Sequence, residues 1–182
     1  MKKLFFIVIV LIVSMFIYIH VNADVDIYEV VIPHAAIRVR VIANSNSIRD
    51  QSMKMKVKEY IENSISRKLV SVANVEEARD IINEEIPNLE VGIQDIFNEN
   101  DYFMSYVVHF GDNFFPEKEY RGVHYEAGAY ESLVVTIGEG RGDNWWCVLF
   151  PPLCLLEAEE NQTNDVEYQF FVQKMIDKIF HK

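Results

Sequence analysis

The sequence predicts a single α+β domain, in which an N-terminal strand and helices pack on a mostly antiparallel sheet and a C-terminal amphipathic helix closes the chain. Three observations support this. Between residues 47 and 97 the apolar residues recur at helical spacing. From Tyr102 onward they are aromatic, β-branched and broken by Gly-rich turns. The last 18 residues return to a helical pattern beginning at Asp165. Helices and strands segregated along the chain are the mark of α+β organisation.

The first element after the N-terminus is Ala36–Ala43, whose alternation puts Ile37, Val39 and Val41 on one face and Arg38 and Arg40 on the other. The two arginines fit either a contact surface or local pairing with Glu131 or Glu139 across the sheet. Asn44-Ser45-Asn46-Ser47 is a turn, and Ser47 with Asp50 resembles a capping box. The helix that follows carries Met53, Val57, Tyr60, Ile61 and Ile65 on one side, and Asn74 with Glu77 opens a second. Pro87 is expected to stop that helix, leaving residues 89–97 as a shorter third one.

In the second half, Tyr102–Phe110 reads as a strand bounded by Gly111-Asp112-Asn113, and Glu117-Lys118-Glu119 as a charged turn. Residues 122–128 read as a turn or short hairpin element. Tyr130–Ile137 and Trp146–Phe150 read as two further strands. The short loop Gly138–Asp143 between them suggests an antiparallel pair. The C-terminal helix is expected to bear Phe170, Phe171, Ile176 and Phe180.

Lys2 and Lys3, the apolar run Leu4–Ile19 broken only by Ser14, and Val21-Asn22-Ala23 read together as a secretory signal. The apolar run is long for a cleaved signal and short for a full span, so residues 1–23 are either a signal peptide cleaved after Ala23 or an uncleaved anchor. Residues 24–35 read as a linker and 36–182 as the domain. A net charge of −11 disfavours nucleic acid and anionic lipid as the main partner. Cys147 and Cys154 are the only cysteines; export favours a disulfide between them, and the alternative is two buried thiols.

The most informative stretch runs from Gly138 to Cys154. Three glycines in five residues permit positive φ and close approach of another surface. Trp145 and Trp146 follow side by side. Neighbours in a strand face opposite ways, so either one ring lines a surface or the sheet is covered on both sides.

No catalytic arrangement emerges from the residues. His109 falls in an apolar strand, where a core or sheet-face role is the expectation, and neither His109 nor His124 has metal-ligand spacing. No nucleophile elbow is present, and the Gly-rich loop lacks the Lys-Ser/Thr of a phosphate loop. No metal or cofactor is expected. The reading is recognition rather than chemistry, with an exported cell-envelope hydrolase as the alternative.

Two blocks carry a family resemblance. Ile37-Arg-Val-Arg-Val-Ile-Ala-Asn-Ser-Asn-Ser47 with Asp50-Gln51 and the Lys54-Lys56-Val57-Lys58 helix is one; Ala127–Cys154 is the other, with Phe115-Pro116-x-Lys118-x-Tyr120 between them. Together they resemble the stage II sporulation protein R family over roughly residues 36–156. That resemblance implies a signalling protein of endospore-forming bacteria, made in the forespore and secreted across its membrane into the intermembrane space. There it would activate a membrane-embedded aspartic protease that processes the sigma-E precursor. It brings no catalytic residue to this chain. The expected partner-binding surface is the loop Glu139–Asn144, including Arg141, with Trp145 or Trp146. Asn44 and Ser45 would support it if the two blocks meet in space.

Overall fold

The computed structural model describes residues 12–15, 30–120, 122–154 and 165–180. The signal or anchor at residues 1–23 therefore falls largely outside the described residues, as does the first part of the linker, 24–29. Among the described residues, no helix is long and apolar enough to cross a membrane.

The centre of the molecule is a four-stranded sheet of β2 (Ile37–Ile42), β3 (Tyr106–Phe115), β6 (Gly128–Ile137) and β7 (Asn144–Phe150), in the order β3-β6-β2-β7. β3 and β7 pair antiparallel with their neighbours, while β2 and β6 run parallel. The expected direct pairing of β6 with β7 is not what forms. β2 lies between them, and the loop Gly138–Asp143 crosses over its end. A second sheet is built from β1 (Val30–Val31), β5 (Val123–Tyr125) and β4 (Lys118–Tyr120), in the order β1-β5-β4. β1 lies inside the expected linker, and β4 takes the place of the expected charged turn.

Apolar side chains pack against both faces of the sheet. Ile37, Val39 and Val41 join Leu133, Val135, Ile137, Cys147 and Leu149 in a core beneath the helices. Those helices are α1 (Ile48–Ile61), a π-helical turn Glu62–Ser66, α2 (Arg67–Leu69) and α3 (Val75–Glu99). On the opposite face, Val148 packs with Ile32, Val123, Tyr125 and Leu153, and with Tyr168, Val172 and Ile176 of α4 (Asp165–Phe180). One sheet sandwiched between two cores makes the chain a single α+β domain.

Several local expectations are corrected. α3 continues past Pro87 to Glu99. Ala78, Ile82, Leu89, Ile93 and Phe97 form one buried stripe along it, so continuous burial of five apolar side chains outweighs a proline cost of about 3 kcal/mol. β3 does not end at Gly111-Asp112-Asn113, because it pairs with β6 in unbroken register as far as Phe115–Gly128. Asn113 is held within it by donating to Ser132 Oγ at 3.0 Å. On α4 the buried stripe is Tyr168, Val172 and Ile176, while Phe170 and Phe171 are exposed.

Candidate functional site

The site is built at the end of the sheet where β2 leaves for α1 and β6 leaves for β7. The turn 44–47 and the loop 138–143 interlock there, so the two blocks singled out in the sequence do meet. The amides of Arg141 and Gly142 donate to the carbonyls of Asn44 (3.1 Å) and Ala43 (2.9 Å). The amide of Glu139 donates to Asn44 Oδ1 at 3.1 Å, and that of Asp143 to Asn46 Oδ1 at 2.6 Å. From α1, Gln51 Nε2 donates to the carbonyl of Ser45 at 3.0 Å and Lys54 Nζ to that of Asp143 at 3.2 Å.

Two glycines make this contact possible. Gly138 has φ of +55°, and a Cβ there would run into the Asn44 side chain; a Cβ on Gly142 would strike the Ser45 backbone. The glycines thus serve the loop's own docking on the turn.

Asp50 holds the turn from below. Its buried carboxylate accepts from Ser45 Oγ, from Asn44 Nδ2 at 2.9 Å and from Tyr102 Oη at 2.7 Å, and its amide donates to the Ser47 cap at 3.1 Å. Burial alone would raise its pKa. The hydrogen bonds from Ser45, Tyr102, Asn44 and Ser47 outweigh that and bring it down to about 2. Burial, then the bond to Asp50, pushes the Tyr102 phenol up.

The expected site residues separate into two groups. Asn44 and Ser45 are half-buried and spend their polar groups inside the turn. Glu139, Arg141 and Asn144 are exposed on the loop and at its exit, with Arg141 Nη1 and Glu139 Oε2 at 3.1 Å. Trp145 and Trp146 take opposite faces, and because both faces are covered each ring is half-buried. Trp145 packs beneath the helices, with Lys58 Nζ 5.2 Å from its centroid. Trp146 meets Phe115 and Tyr125 edge-on, each with centroids 5.5 Å apart.

No disulfide joins Cys147 and Cys154 in this structure. Both thiols are buried and point at the same carbonyl, that of Val148, at 3.6 and 3.0 Å. Cysteine here packs as a small apolar side chain with a weak donor.

Around the loop the surface carries apolar side chains that periodicity did not single out. Ile48 opens α1, and Arg49 beside it donates to the carbonyl of Asp101 at 2.7 Å. That contact brings the 101–105 segment alongside, and Gly138 N closes the ring by donating to Ser105 O at 2.7 Å. Ile48, Phe103, Met104 and Val107 are all exposed on or next to these segments, Ile48 at 92 % and Phe103 at 87 %. Among the described residues, no cluster of three or more His, Cys, Asp or Glu is placed to hold a metal ion.

The family profile described as Stage II sporulation protein R matches residues 33–160. The chain belongs to the stage II sporulation protein R family. A curated relative, "Stage II sporulation protein R" of Bacillus subtilis (strain 168), is 39 % identical over 133 residues, which are 73 % of this chain and 59 % of the relative. The chain thus spans less than two thirds of that relative's length. No solved structure gives a significant match.

Membership makes this a stage II sporulation protein, and the matched region takes in the interlocked loops and the whole central sheet. It also takes in Glu131 and Glu139, the two residues offered as alternative partners for the arginines of β2. Glu131 pairs with Arg79 of α3, at 2.7 and 2.9 Å, and Glu139 with Arg141, so neither meets Arg38 or Arg40. Arg38 is instead fully buried against the Tyr130 ring. Alternation placed both arginines on the right face. It could not show that the face is covered.

Proposed function

We propose that this chain is an exported, non-enzymatic signal of endospore formation that activates a membrane-embedded aspartic protease and so triggers processing of the sigma-E precursor. Membership of the stage II sporulation protein R family supports the sporulation role. The observation that bears most on mechanism is the interlocked loop end. Its internal hydrogen bonds use up Asn44, Ser45 and Asn46 and leave Arg141, Glu139 and Asn144 facing outward. A loop held in advance by its own scaffold loses little entropy on binding. The exposed Ile48, Phe103, Met104 and Val107 beside it supply apolar area of the kind that marks contact sites.

In this reading Arg141 and Asn144 make the polar contacts to the protease and the neighbouring apolar side chains supply most of the affinity. The tryptophans support the loop from beneath, each anchored in one of the two cores. The protein acts after crossing the forespore membrane, in the space between the two membranes.

The test is reconstitution. The protease and its precursor substrate in vesicles should show processing when the mature protein is added, and the protein alone should cleave neither peptide nor wall polymer. Processing that runs equally well without it would remove the activator reading, and wall-polymer cleavage by the protein alone would favour a hydrolase.

A further inference from the structure

Arg38 is the largest fully buried side chain among the described residues, and it has no acidic partner there. Its Nη2 reaches only the carbonyl of Glu126, at 3.4 Å; its Nε and Nη1 are buried without a hydrogen bond. Arg40, two residues along the same strand and on the same face, donates Nη2 to the carbonyl of Phe114 at 2.8 Å and also leaves its Nε buried and unmatched. The chain has 28 carboxylate side chains, yet among the described residues none is brought to these two cations.

The environment explains how the cations are tolerated and what they lack. The Arg38 guanidinium lies 3.4 Å from the Tyr130 centroid, 5.0 Å from that of Phe115 and 5.2 Å from that of Trp146. Arg40 lies 4.0 Å from the Phe115 centroid. Tyr130 is itself stacked on His34, at 4.6 Å and 10°. Aromatic faces stabilise the face of a guanidinium. They accept nothing from the N–H groups around its edge, and an arginine cannot discharge by losing a proton. Three edge nitrogens, Arg38 Nε and Nη1 and Arg40 Nε, therefore remain without an acceptor on two guanidiniums seated over aromatic rings.

We propose that Arg38 and Arg40 form a receiving site for one carboxylate of a partner polypeptide, an acidic side chain or a chain terminus. A carboxylate matches the in-plane fork of arginine donors. A single negative charge suits the pair, whereas phosphate brings more charge into a protein that is already strongly acidic. Entry is from the side of Arg40, which is half-exposed and shares its face of the sheet with the exposed His109 of edge strand β3. Arg38 lies one pleat deeper. This site is separate from the loop 138–143 and does not depend on the identity of the protease.

The test follows the Arg Nε–Hε resonances of the ¹⁵N-labelled full chain during titration with sodium acetate, with sodium chloride and inorganic phosphate at matched ionic strength. The proposal expects a saturable shift of both Arg38 and Arg40 with acetate and none with chloride. Arg40→Gln, checked for an unchanged backbone spectrum, should weaken the acetate response by about tenfold, and Arg40→Lys, which keeps the charge but loses the fork, should weaken it too. No shift with acetate, an equal shift with chloride, or saturation with phosphate alone would each overturn it. The wild-type titration decides the matter even if a variant fails to fold.

Discussion

The amide of Gly142 donates to the carbonyl of Ala43 across 2.9 Å, and through that bond the glycine-rich loop is seated on the end of the strand that separates β6 from β7. Without a strand between them, β6 and β7 would be a simple hairpin. With β2 inserted, the connecting loop must bridge two inter-strand spacings, about 10 Å, and lie against the turn 44–47 as it does so. The exposed position of Arg141 follows from that crossing.

Gly142→Ala should therefore disturb the loop more than a surface change would. The added methyl meets the Ser45 backbone, which cannot yield as a side-chain tip could. A loss of about 1–3 kcal/mol is expected in thermal or denaturant unfolding. Hydrogen exchange should show the Arg141 and Gly142 amides opening faster. A variant of unchanged stability with both amides still protected would contradict the interlock.

Asp50 should govern part of the acid stability. Its folded pKa of about 2 lies below the usual 3.8, so its contribution is complete above that usual value and is lost as the pH falls toward 2. At neutral pH this stabilises the fold by about 2 kcal/mol. Asp50→Asn should remove about that much at pH 7 and much less at pH 2, read as the difference between the two unfolding curves. An equal difference at both pH values would show that ionisation of Asp50 plays no part.

The ion pair Arg79–Glu131 is bidentate but partly exposed, with side-chain exposures of 39 % and 27 %. Solvent screening limits its worth, so Glu131→Gln should cost less than about 1 kcal/mol. A loss above about 2 kcal/mol would mean that docking of α3 on the sheet depends on this pair rather than on the Ile82–Phe97 stripe.

Cys147 and Cys154 should behave as two buried thiols. A maleimide reagent should label neither in the folded protein and both after unfolding in denaturant without reductant. Absence of labelling in denaturant, reversed by reductant, would instead show a disulfide.

Much of this architecture was legible in local pattern. The alternation of Ile37, Val39 and Val41, the buried face Met53, Val57, Ile61 and Ile65, and the caps at Ser47 and Asn74 all depend on residues within a turn or two of each other. Both caps form, with the Asp50 amide donating to Ser47 Oγ and that of Glu77 to Asn74 Oδ1 at 2.9 Å. What sequence could not supply was decided by distant partners. β3 passes through Gly111-Asp112-Asn113 because β6 offers it a continuous ladder, and α3 passes through Pro87 because the sheet offers one long apolar surface. Phe170 looked like a core residue by type alone, yet Tyr168 and Val172 occupy the buried face of α4. The interlocked site was half visible, as two motifs with no known distance between them. The apolar side chains beside it had no periodic signal, since Ile48 is the first residue of α1 and Phe103 lies in the connection between α3 and β3.

The central claim is that the loop end of the sheet is the surface that switches on the protease. The most direct measurement is the rate of sigma-E precursor processing by the reconstituted protease with protein carrying Arg141→Ala together with Phe103→Ser, both exposed side chains whose loss should leave the melting temperature unchanged. The account predicts that this variant needs at least about tenfold more protein for half-maximal processing, the loss expected for one polar and one apolar contact of about 1 kcal/mol each or more. Full processing at the wild-type concentration by a normally folded variant would contradict it.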